Sequence, residues 1–142
     1  MKVRDVMHSS AETVRPDTTI SDAAALMARK DLGFLLVEDN DRLQGTVTDR
    51  DIVLRCISQC KDPANTTVAD ILTRKVLYCT EDQEIEELAR NMRDLQIRRM
   101  PVVNQDKRLV GVVGIKDMAG HVDEKLIGEV MCGVTNDQQS AA

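Results

Sequence analysis

Apolar residues recur at i, i+3, i+4 and i+7 in two places: Ile20, Ala23, Ala24 and Met27, then Ile85, Leu88, Ala89 and Met92. That spacing gives an α-helix one buried face. Asp17-Thr18-Thr19 ahead of the first helix, and Glu81-Asp82 ahead of the second, offer N-cap side chains. After each helix the pattern changes to a β-forming run, at Phe34–Val37 and Met100–Val103. A polar loop follows (38–42; 104–108), then a second run, Leu43–Val47 and Leu109–Val113. A final helix begins near Asp49 and Ile115, carrying Ile52, Val53 and Cys56 in one copy and Met118 and Val122 in the other. Val3–Met7 and Val68–Leu72 each read as one helical turn, followed by a short strand at Glu12–Val14 or Leu77–Cys79. The chain is predicted to be α/β, a β-α-β-β-α unit used twice.

The two copies align residue by residue. At an offset of 65, Val3, Asp5, Ile20, Ala24 and Met27 match Val68, Asp70, Ile85, Ala89 and Met92. At 66, Val37, Arg42, Leu43, Gly45, Val47 and Asp51 match Val103, Arg108, Leu109, Gly111, Val113 and Asp117. The slip of one residue is placed between Met27 and Gly33, at a helix end. Either half alone is too small for a good core, whereas two packed together bury one and leave clefts at the seam. The boundaries read as 1–58 for the first repeat, 59–67 for a polar linker, 68–123 for the second repeat and 124–142 for an extension. Ile127–Met131 echoes Val3–Met7, and the tail after Gly133 reads as disordered.

The chain has 142 residues, 42% of them hydrophobic, and a net charge of −5. The acidic balance argues against nucleic acid or an anionic membrane as partner. No apolar run approaches a membrane span and the N-terminus is unlike a secretory signal, so the expected location is cytoplasmic. Cys56, Cys60, Cys79 and Cys132 form no CxxC pair and are expected as reduced thiols, with no metal site. His8 and His121 are isolated and no phosphate-binding glycine loop is present, so no enzyme is expected. Phe34 and Tyr78 are the only aromatics, so a planar ligand has to be held by aliphatic side chains, backbone and Arg.

The opening VRDVM, the helix TTISDAAALM, the strand entry IRRMPVV and the closing GTVTDRDI, in this order and in tandem, resemble the cystathionine-β-synthase (CBS) domain pair, or Bateman module, of the stand-alone bacterial type. The resemblance covers about 120 of the 142 residues. It implies two repeats packed with pseudo-two-fold symmetry, a flat homodimer, and adenosine derivatives bound in clefts between the repeats. It also implies regulation of a partner protein that the sequence does not name.

Within GTVTDRD, Gly45 would let the strand end close to a ligand. Thr48 sits at a strand-to-helix turn suited to a phosphate, and the Asp51 carboxylate suits a ribose diol. The same residues read equally as an N-cap and a helix-start charge. Arg98 and Arg99 read either as phosphate ligands or as a solvated helix end. By the resemblance, one cleft combines Thr46, Val47, Thr48, Arg50 and Asp51 with Leu77, Tyr78, Arg98, Arg99, Met100 and Pro101. The other combines Gly114, Lys116 and Asp117 with Glu12, Thr13, Leu32 and Gly33. It lacks the hydroxyl and the Arg pair, and so reads as degenerate. The expected ligand is AMP, ADP or ATP, one per chain. The alternatives are S-adenosylmethionine, NAD, or an interaction module with vestigial clefts.

Overall fold

A computed structural model describes residues 1–9 and 12–141, with side chains through Cys132. The elements are α1 (Val3–Val6), β1 (Thr13–Val14), α2 (Ile20–Lys30), β2 (Phe34–Asp39), β3 (Arg42–Thr48), α3 (Asp49–Ile52), β4 (Cys79–Thr80), α4 (Ile85–Leu95), β5 (Arg99–Val103), β6 (Leu109–Gly114), α5 (Ile115–Met118) and α6 (Glu124–Ala141). A π-helical turn, Val53–Ile57, extends α3, and a 3-10 turn spans Val68–Asp70.

Two compact units result, and their borders are not those of the sequence repeats. A central unit comprises 11–76; a terminal unit joins 1–10 to 77–142. Each holds a three-stranded sheet, β1-β2-β3 or β4-β5-β6. In both, the short first strand runs parallel to the second and the second antiparallel to the third. The opening turns are exchanged. Val68, Ile71 and Leu72 join Ile20, Leu35 and Val47 in the central core. Val3 joins Ile85, Met92 and Val113 in the terminal one.

Matching backbone bonds seat the exchanged segments. Thr46 and Thr73 exchange N–H to O bonds of 2.9 and 2.8 Å, and His8 and Val112 exchange two of 2.9 Å. Gly45 and Gly111 make these approaches possible. A Cβ on Gly45 would lie 2.3 Å from the Thr73 carbonyl oxygen, and one on Gly111 2.4 Å from that of His8. The closeness expected at Gly45 is therefore to the chain's own backbone rather than to a ligand.

Strand register also moves the slip between the copies. Val37 pairs with Gly45 and Val102 with Gly111, spans of eight and nine residues. The extra residue thus lies in the second hairpin. The helix ends keep the 65 offset, with Asp31 and Gln96 as left-handed caps at φ 54° and 58°. The first hairpin closes on Asn40 and Asp41, both at positive φ, the residues a tight two-residue turn favours. The second needs the longer loop, where Asn104 Oδ1 accepts from the Asp106 and Arg108 N–H groups. Arg98 and Arg99 are therefore equivalent to Gly33 and Phe34.

Two further expectations change. On the helix beginning at Asp49, Ile52 and Cys56 are buried, but Val53 is exposed together with Leu54 and Ile57. The segment expected as a disordered tail continues α6 to Ala141, and Val130 on that helix is fully buried in the terminal core. Cys79 is buried at the start of β4 and donates to the Pro101 carbonyl at 3.6 Å; burial pushes its thiol up to about 12, so it stays protonated.

Candidate functional site

In the central unit the strand β3 delivers Thr48 to the N-cap of α3. Thr48 Oγ1 accepts from the Asp51 N–H at 3.0 Å, and the Thr48 N–H donates to Asp51 Oδ2 at 3.0 Å. This is a reciprocal capping box, which accounts for half of the Asp51 carboxylate. The other oxygen, Oδ1, faces Arg55 Nε at 3.8 Å, and the side chain is 14% exposed. Arg55 is itself held by a 3.1 Å bond to the Ile71 carbonyl. Its guanidinium keeps a cation beside a carboxylate that still has acceptor capacity. Arg50 is exposed on the same turn.

Other candidates of this unit are placed as follows. Thr46 is half-buried and carries the bridge to Thr73, while Val47 sits fully buried in the core and pairs with Leu35. Gly33 lies beside Asp49, and its carbonyl accepts the Asp49 N–H at 3.0 Å. Thr13 pairs with Leu36, and Glu12 reaches Lys30 at 3.8 Å. Leu32 packs against the central core.

The terminal unit repeats the motif with two differences. Gly114 has φ −120° and ψ 165°, against −116° and 163° for Thr48. Its N–H donates to Asp117 Oδ2 at 2.7 Å. No side-chain hydroxyl completes the box. Nothing in the backbone requires glycine here. A Cβ would meet the Arg98 carbonyl, Asp117 Oδ2 and Arg99 Cγ at 3.5–3.7 Å, ordinary contact distances.

The second difference is His8. Its Nε2 lies 2.6 Å from Asp117 Oδ1. A carboxylate only accepts, so this nitrogen carries the proton. His8 was expected to be isolated; the bridge to Val112 brings it to the motif across 109 positions of sequence. No local pattern in the sequence announces a contact of that range.

Arg99 pairs with Gly114, and the Arg98 carbonyl accepts the Ile115 N–H at 2.9 Å. Within the terminal unit the two Arg therefore border the Gly114–Asp117 turn, with Lys116 exposed beside them. Leu77 and Tyr78 are exposed ahead of β4, whereas Met100 and Pro101 are buried. Away from the motif, a charged groove between α4 and α6 is lined by Glu86, Arg90, Arg93, Lys125 and Glu129, with Arg93 and Glu129 paired at 3.0 Å.

Among the described residues no group of three or more His, Cys, Asp or Glu stands together to hold a metal ion. No helix among them is long and apolar enough to cross a membrane.

Comparison with known proteins adds the following. The CBS domain matches the chain twice, over residues 3–57 and 68–124. Hypoxic response protein 1 of Mycobacterium tuberculosis is 35% identical over 125 residues, covering 87% of this chain and 87% of that protein. A crystal structure of Hypoxic Response Protein I with two coordinated zinc ions superposes with a TM-score of 0.73 at 34% identity, covering 85% of this chain and 98% of that one. A protein from Burkholderia ambifaria described as signal-transducing, with CBS domains, superposes with a TM-score of 0.64 at 33% identity, covering 80% and 82% of the two chains.

Proposed function

Because this chain belongs to the CBS-domain family, as a tandem pair of regulatory type, we propose that it senses an adenosine nucleotide and signals through a partner protein rather than catalysing a reaction. The observation that carries this reading is the Thr48–Asp51 turn. Asp51 commits one oxygen to the cap and keeps the other available next to Arg55. A carboxylate so placed can accept from a ribose diol, and Thr48 presents its hydroxyl at the same turn.

Arg98 and Arg99 are assigned to the phosphate, for which Arg is well shaped. Both are exposed at the start of β5. The test is equilibrium titration of the chain with AMP, ADP, ATP and adenosine, with S-adenosylmethionine and NAD alongside. The expected result is one nucleotide per chain, with AMP preferred to adenosine. Arg98→Ala with Arg99→Ala should flatten that preference by roughly tenfold or more, the worth of a lost charge-assisted bond. An undiminished preference places the phosphate elsewhere. No binding of any of the six compounds would make the module a pure interaction surface.

The chain is further proposed to act as a homodimer. Val53, Leu54 and Ile57 form an exposed apolar strip, 45–55% accessible, that a second copy would cover. Native mass spectrometry reads the dimer and any retained nucleotide together.

A further inference from the structure

We propose that His8 closes the second nucleotide motif by occupying the Asp117 carboxylate. The inference rests on the nucleotide reading above and extends it to the terminal unit. Asp117 has both oxygens engaged: Oδ2 by the Gly114 N–H at 2.7 Å and Oδ1 by His8 Nε2 at 2.6 Å. Asp51, its counterpart, has among the described residues only Arg55 at 3.8 Å on the corresponding oxygen. A diol reaching Asp117 has to displace the imidazole first.

The geometry suits a movable plug. The His8 side chain is 66% exposed and that of Asp117 18% exposed, so the ring has open space to move into. The His8 backbone is fixed by its two bonds to Val112, so the ring can turn away without disturbing the sheet. The equivalent position in the other copy is Thr73, which seats the same bridge and has no ring to offer.

The charged groups on the surrounding elements are few. Arg4 on α1 is paired with Asp82, and Asp5 accepts the Lys2 N–H. Lys116 and Asp117 belong to α5, Arg98 and Arg99 to the start of β5, and β6 carries no charge. Asp117 is thus the only carboxylate bonded to the ring among the described residues.

The experiment titrates adenosine, which carries no phosphate, into wild type, His8→Ala, Gly114→Thr and His8→Ala with Asp117→Ala. His8→Ala should gain a second equivalent, or tighten the second site by roughly tenfold, the worth of a hydrogen bond to a charged group. That gain should vanish with Asp117→Ala. The proposal is overturned if His8→Ala gains nothing, if it loses affinity, or if Gly114→Thr alone opens the site. Two equivalents already present in wild type overturn it too. If His8→Ala gains nothing while wild type still binds one adenosine, the nucleotide reading survives. If no variant binds adenosine at all, both fall.

Discussion

Gly45→Ala is expected to destabilise the central unit by about 3 kcal/mol, the upper range for forcing an atom into a filled site. The added Cβ would stand 2.3 Å from the Thr73 carbonyl oxygen and 2.6 Å from Leu72 Cδ1. The backbone oxygen cannot yield without breaking the two bonds between Thr46 and Thr73. Urea unfolding should show the midpoint falling by roughly 1–3 M, given ordinary slopes of about 1–3 kcal/mol per M. Gly111→Ala should do the same to the terminal unit, where the obstacle is the His8 carbonyl at 2.4 Å. Gly33→Ala is the control. Its nearest neighbour is the Asp49 carboxylate at 3.3 Å, the end of a side chain that can swing aside. If all three substitutions cost the same, the close approach is not what these glycines are for.

Asp51→Ala is expected to weaken AMP binding by roughly 10- to 150-fold, the equivalent of about 1.5–3 kcal/mol for a hydrogen bond to a charged group. It should also cost about 1 kcal/mol of stability, because the Thr48 capping box goes with it. Asp70→Ala separates the two effects. Asp70 Oδ2 accepts from the Thr67 N–H at 3.1 Å and from the Thr67 hydroxyl at 3.2 Å, a cap in the same unit with no proposed ligand. It should lose similar stability and keep its affinity. Calorimetry showing equal losses of affinity in both variants would reduce Asp51 to a helix cap.

Helices, hairpins and the tandem order were legible because each rests on local spacing. The core face of α4 follows from Ile85, Leu88, Ala89 and Met92, all fully buried. The position of the slip is hidden in the sequence because Val102 and Val103 are identical letters. Matching Val37 to Val103 hides a one-residue shift that only the pairing with Gly45 and Gly111 exposes. The motif Thr48-x-x-Asp51 could be found, but not how its two oxygens are shared, since that depends on hydrogen-bond direction. His8 lay beyond reach altogether. Its partner is fixed by the exchange of opening segments, and nothing near either residue encodes that exchange.

The exchange has a consequence for the order in which the chain is made. The central unit is continuous in sequence and can close once Val76 has left the ribosome. The terminal unit cannot. Val3, fully buried against residues synthesised some hundred positions later, has to wait for them, and so do the Lys2 pairing with Glu84 and the His8 bridge. Residues 1–9 emerge well before the partners they need. Deleting residues 1–9 should therefore leave amide exchange within 12–57 unchanged and raise it across 84–113. A lesion in residues 1–9 would then be felt across 84–113.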